Sequence, residues 1–175
     1  TLVKSSAASD VYKRQGKLYE RIIIGDRYED TYTIGTFDKG YLVGKATQYY
    51  KDGKIASKMN YVRGRKDGKG VRYYTSGKIF QKGEWKRGRM NGKCVEYKDN
   101  GKIKKEGIFQ DGNLVEGRQC DYAGYCYVGK FERNDKVGRF KIYYPSGKLY
   151  ETATFKRDRE DGLVKKFHEN GKVQF

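Results

Sequence analysis

Residues 77–102 read GKIFQKGEWKRGRMNGKCVEYKDNGK, from Gly77 to Lys102. Within this stretch Ile79, Gln81, Gly83 and Trp85 fall on one side by period two, and Lys82, Glu84 and Lys86 on the other. That alternation is the pattern of a strand with one buried face. A second strand over 93–98 puts Val95 and Tyr97 on one face, with Cys94 and Glu96 opposite. Arg87 to Gly92 and Asp99 to Lys102 carry the glycine and asparagine of tight turns. A helix needs apolar residues three and four apart through ten or more positions, and no such series survives these glycines.

The same grammar recurs along the chain. Gly-Lys pairs begin at Gly53, Gly77 and Gly101, and again at Gly147 and Gly171, intervals of 24, 24, 46 and 24 residues. The 46 reads as two repeats. One aromatic column is Phe37, Tyr61, Trp85, Phe109, Phe131 and Phe155; a second, five residues past an internal glycine, is Tyr49, Tyr73, Tyr97, Tyr122, Tyr143 and Phe167. The turn between them holds Gly40, Gly64, Gly88, Gly112, Asn134 or Asp158, all residues that tolerate positive φ. A single hairpin is marginal by itself, so the units must stack edge to edge. The expected fold is all-β: an elongated, single-layer, twisted antiparallel sheet of about six consecutive hairpins of about 24 residues, with both aromatic columns as its structural anchors.

Residues 37–175 carry this array, and 16–36 form a degenerate first repeat or cap, in which Ile22, Ile23, Ile24 and Gly25 run out of phase. Residues 1–15 ignore the pattern and are set aside as a non-native, disordered leader.

Composition narrows the function classes. The chain of 175 residues carries a net charge of +17, 17 Tyr, 8 Phe and 23 Gly, with a mean hydropathy of −0.98. Regular aromatics argue for order despite the thin aliphatic content. Cys94, Cys120 and Cys126 lack the paired spacing of a zinc site and do not make a complete disulfide framework, which points to a reducing compartment. No apolar run is long enough to span a bilayer. The expected location is therefore cytoplasmic, with any membrane contact peripheral.

The stretch from Tyr127 to Lys148 resembles a MORN repeat (membrane occupation and recognition nexus), and Tyr49–Lys54, Tyr73–Lys78 and Tyr143–Lys148 resemble the Tyr-Tyr-x-x-Gly-Lys of its variant form. The resemblance covers residues 28–175. It implies a sheet of consecutive hairpins without catalytic activity, acting as a scaffold in protein complexes or as a binder of anionic phospholipid; the variant form is common in bacterial proteins regarded as antitoxins.

No catalytic, cofactor or metal constellation emerges from the residues. Gly88-Arg89-Met90-Asn91-Gly92-Lys93-Cys94 has one residue too few for a phosphate-binding loop, and Cys stands where Ser or Thr would hold magnesium. His168, the one histidine, has no oriented partner in the pattern. Basic residues, by contrast, fall in columns, and residues 53–100 carry a net +10 while 16–52 sum to zero. Arg63, Arg65, Lys66, Lys69, Arg72, Arg87, Arg89 and Lys93 are the candidate anion-binding surface. The reading is a non-enzymatic scaffold for a protein partner, antitoxin-like in the sense that the resemblance implies. The alternative is peripheral binding of anionic phospholipid through residues 53–100, with nucleic acid third and no small-molecule substrate.

Overall fold

Every described residue that belongs to a regular element lies in a strand, and the strands follow one another in chain order. The structure, a computed structural model, describes residues 14–24 and 27–174. The expected leader thus lies outside the described residues as far as residue 13, while Arg14 and Gln15 already belong to the first strand. Gly25 and the final residue of the array also lie outside them.

The strands are β1 (Arg14–Ile24), β2 (Arg27–Asp38), β3 (Tyr41–Tyr50), β4 (Ile55–Val62), β5 (Arg65–Lys66), β6 (Gly68–Tyr73), β7 (Ile79–Lys86), β8 (Arg89–Tyr97), β9 (Ile103–Gln110), β10 (Asn113–Cys120), β11 (Cys126–Glu132), β12 (Asp135–Tyr143), β13 (Leu149–Lys156), β14 (Arg159–Glu160) and β15 (Lys165–Lys166). They form one open antiparallel sheet in sequence order, with β5 an extra pairing on β4 and β15 on β13. This is the fold class read from the repeats.

Two-residue turns make the hairpins, because Asp38 pairs with Tyr41, Val62 with Arg65 and Lys86 with Arg89. Both central residues have positive φ, as in Arg63 (48°) and Gly64 (74°) or Arg87 (51°) and Gly88 (89°). That is the type I′ turn, whose twist matches that of the flanking strands. Each unit also leans on the one before: the Gly64, Gly88 and Gly112 amides donate to the carbonyls of Leu42, Lys66 and Met90 at 2.9, 2.7 and 2.9 Å.

One face is buried along the whole array. Tyr61, Trp85, Phe109, Phe131 and Phe155 are all 6% exposed or less and join Leu42, Met90, Leu114 and Phe140 in one continuous cluster, with Phe37 packed at its margin. A single sheet can bury one face to this degree only by curling over it, so this is the inner face. Large side chains there lie over glycines of the neighbouring strand: the Phe140 ring covers Gly129, and Met59 Sδ covers Gly70. Gly107 and Gly117 meet directly, with φ of 144° and 147°, and a Cβ on Gly107 would sit 2.1 Å from the Glu116 carbonyl oxygen.

The second aromatic column departs from expectation. Tyr49, Tyr73, Tyr97, Tyr143 and Phe167 are half-buried and lie on the outer face, opposite Trp85 and its equivalents. The inner face is served instead by the neighbouring residue, as in Tyr50, which is 2% exposed, and by Cys94 rather than Val95. Each tyrosine stands an odd number of residues from the inner side chains of its own strand, as Tyr97 does from Met90 and Cys94, and β-bulges turn the facing isoleucines outward with it. Ala56 and Phe80 are extra residues opposite β3 and β6, so Ala56–Ser57 and Phe80–Gln81 turn inward together, while Ile55 and Ile79 face outward. Outside, Tyr49 pairs with Ile55, Tyr73 with Ile79 and Tyr97 with Ile103.

Tyr122 is no anchor: it is 99% exposed in a turn. Most units carry two extra residues in the bulge of their second strand, whereas β10 carries one, Val115, so counting from Gly117 overshoots the strand. The residue at that position is Cys120, which pairs with Cys126 where the other junctions have a bulge.

Candidate functional site

The inner face holds a chain of polar side chains beside the aromatic cluster. Gln48 donates to Thr31 Oγ1 at 3.1 Å and accepts from Ser57 at 3.2 Å. Arg72 donates to Gln81 at 2.9 Å, Gln81 donates to Glu96 at 2.8 Å, and Lys104 pairs with Glu96 at 2.8 Å. Farther along, buried Glu151 pairs with Lys166 at 3.6 Å, and burial followed by the nearby Glu160 pushes its carboxyl above the ordinary range. Among the described residues no group of His, Cys, Asp and Glu is arranged to hold a metal. This face is filled by its own side chains.

A ladder of hydroxyls ties the units together on the same face. Tyr50 donates to the Tyr73 carbonyl at 2.6 Å, Tyr74 to that of Tyr97 at 2.7 Å and Tyr144 to that of Phe167 at 2.9 Å. Lys98 Nζ takes the same role toward the Asp121 carbonyl. Burial pushes the Tyr50 and Tyr74 phenols up to about 12. The sequence carried this signal in the second tyrosine of Tyr49-Tyr50, Tyr73-Tyr74 and Tyr143-Tyr144.

The eight candidate basic residues do not form one surface; the fold divides them among three places. Arg63, Arg65, Arg87 and Arg89 are exposed at the tips of two adjacent hairpins, on one rim of the sheet. Lys69 and Lys93 lie on the outer face. Lys66 and Arg72 are half-buried on the inner face, where burial, then the Arg72 charge, holds the Lys66 amine down to about 8. Arg72 lies 5.1 Å from the Phe80 ring centroid, and its guanidinium is committed to the polar chain. On the rim, Lys39, Arg63, Arg87, Arg133 and Arg157 hold φ of 48–51°, a left-handed conformation that asparagine or glycine would adopt at lower cost.

Among the described residues the outer face is the open one. Its stripe of half-buried Tyr73, Tyr97 and Ile103, with Ile79 exposed among them, runs across the strands. Beside it lies an open groove of about 820 Å³ with Val71, Val95 and Ile108 as apolar floor and Lys69, Lys82, Lys93, Glu84 and Glu106 around them. Register puts Lys58 and Lys82 in one row with Val71 and Val95. Sequence reasoning missed Lys58 and Lys82, because a lone lysine in a strand looks like any solvated residue until its neighbours across the sheet are known.

Cys120 and Cys126 form a disulfide across the turn between β10 and β11, and Cys94 is free and buried. The three cysteines do not make a complete framework, but one bridge forms that the sequence did not show: two cysteines six residues apart are brought opposite each other by the missing bulge. The pair removes the ground on which a reducing compartment was expected. Among the described residues no helix is long and apolar enough to cross a membrane.

Comparison with known proteins follows the same division of the chain. No curated relative matches it. Residues 42–63, 136–157 and 160–175 match the MORN repeat variant, and residues 60–79 and 82–103 match the MORN repeat. Between these spans lies the unit with the shortened bulge and the disulfide. With more than half of its length matched, and hairpins in register on both sides of that irregular unit, the chain belongs to the MORN-repeat family.

Proposed function

We propose that this chain is a non-enzymatic scaffold that docks a protein partner on the outer face of its sheet. The observation that carries the reading is the apolar stripe of Tyr73, Ile79, Tyr97 and Ile103 beside the Val71 and Val95 groove, set on a face that the described residues leave uncovered. Apolar area bordered by charge is the usual anatomy of a docking surface. The test is affinity capture from the native host with the wild-type chain and with Val71→Glu, Val95→Glu. A partner retained by wild type and lost by the double variant supports the reading. A partner indifferent to that change, or none at all, overturns it.

The hairpin-tip arginines favour a second reading, binding of anionic phospholipid headgroups. Arg63, Arg65, Arg87 and Arg89 protrude from successive tips roughly 9–10 Å apart, and each cation near such a surface contributes about 1 kcal/mol. The left-handed turn positions of Arg63 and Arg87 set both side chains at the hairpin tips, exposed to solvent. In flotation assays the protein should follow acidic vesicles at low salt and leave them at high salt or when the four arginines become serine. Equal recovery on neutral vesicles rules this reading out.

A further inference from the structure

We infer that the partner segment on the outer face is a polyproline II stretch with an acidic residue in each triplet, lying across the strands along the array. The inference rests on the protein-docking reading and names its occupant. Three features of the face lead to it: spacing, donors and charge.

The stripe repeats once per unit, every two strands, which is about 9.6 Å at roughly 4.8 Å between strands. A polyproline II chain returns to the same face every three residues at ~3.1 Å each, or about 9.3 Å. An α-helix returns after seven residues at ~10.5 Å, and an extended strand after two at about 6.7 Å. Over four units the polyproline chain drifts by about 1 Å against the stripe, and the helix by about 4 Å. At the level of the backbone the polyproline repeat is the one nearest to the unit repeat.

A polyproline II segment makes no internal hydrogen bonds, so its carbonyls need donors from the surface that binds it. Tyr49, Tyr73, Tyr97 and Tyr143 present hydroxyls on the outer face that have no hydrogen-bond partner among the described residues, whereas inner Tyr50, Tyr74 and Tyr144 each have one. Backbone amides within the strands are already used by the sheet ladder, which leaves recognition to these side chains.

Charge sets the remaining requirement. Lys58 and Lys82 lie one row from the stripe in two successive units, with Glu106 at that place in the third, and Lys69 and Lys93 lie one row further, beside Glu84. A threefold chain seated on the stripe turns a second of its three faces toward those lysines. Over the two units of Lys58 and Lys82, one carboxylate per triplet meets one lysine.

The probe is a fluorescent peptide of repeated Pro-Pro-Glu triplets, titrated with the full chain at low salt. Saturable binding is expected, weakened about tenfold by Tyr73→Phe with Tyr97→Phe, which removes two donors without altering the fold. Lys58→Ser with Lys82→Ser should weaken it to a similar degree, and Arg63→Ser with Arg87→Ser should leave it unchanged. Equal or tighter binding of Pro-Pro-Lys triplets, or of a helical peptide of equal negative charge, overturns the inference, as does the absence of binding up to millimolar peptide. If a captured partner depends on Val71 and Val95 while the triplet peptide fails, the docking reading stands and the polyproline occupant falls.

Discussion

The hydroxyl of Tyr74 donates to the carbonyl oxygen of Tyr97 at 2.7 Å, from one hairpin unit to the next. The acceptor closes the second strand of its unit, just ahead of the turn at Lys98. Deleting the hydroxyl leaves a half-buried carbonyl short of a partner. Tyr74→Phe should therefore cost about 1 kcal/mol, lowering the melting temperature by roughly 2–4 °C. Tyr73→Phe, one residue away but on the outer face, should cost almost nothing. Equal losses in urea denaturation of the two variants would contradict the assignment of faces.

Where β9 and β10 cross, glycine is required on both strands. A Cβ on either Gly107 or Gly117 would lie 2.1 Å from a carbonyl oxygen and 2.7 Å from the facing glycine's Cα. Both residues also hold φ near 145°. Gly107→Ala and Gly117→Ala should each destabilise by at least about 2 kcal/mol, since backbone has to move to admit the methyl. The double variant should fall short of the sum, because the two sites share one contact.

Breaking the disulfide should loosen one junction and spare the rest. Cys120→Ser with Cys126→Ser opens a loop six residues apart in sequence, for a loss of about 2 kcal/mol by the loop-entropy relation. Exposed Tyr122 lies within that loop and should become the first site of chymotryptic cleavage. Alkylation of the denatured, unreduced wild type should label Cys94 alone, and reduction should raise the count to all three cysteines.

Lys66 should give the stability a rising slope in mild base. Its amine is held down to about 8, below the ordinary 10.5, chiefly by burial. Between pH 8 and about 10 the unfolded chain binds more protons than the folded one, so unfolding free energy rises with pH. Below pH 8 both states are protonated, and the folded state carries the cost of a confined cation. Lys66→Met should flatten this segment and raise stability at pH 7 by on the order of 1 kcal/mol. Above pH 10 the sign reverses, because Tyr50, Tyr61 and Tyr74 release their protons near 12 when folded and lower when unfolded.

The hairpin succession was legible because its signals are local. Arg63-Gly64 and Arg87-Gly88 mark turns by themselves, and Trp85 and its equivalents alternate with charge along one strand. The assignment of Tyr97 and Tyr122 was not legible in the same way. Ala56 and Phe80 each reverse the side of the isoleucine before them, so that it meets the outward tyrosine, and β10 carries one extra residue where other units carry two; such irregularities depend on the register of two strands rather than on either sequence alone. The basic surface was divided by simple alternation: Lys66 and Lys69 are three residues apart, an odd spacing that places one inward and one outward, and the two extra residues between β5 and β6 leave that parity unchanged.

By itself the sequence determined the all-β class, the unit length, the turn positions and the first aromatic column, each of which rests on spacing within about 24 residues of one strand and its neighbour. Tertiary structure alone decided which tyrosines became inter-unit latches and which were left free on the outer face. It also decided that Cys120 would meet Cys126, and that Lys58 and Lys82 would line a row beside an apolar groove. The physical reason is that a side chain's face follows from the sum of bulges along the ladder, and that sum exists only once every strand has found its partner.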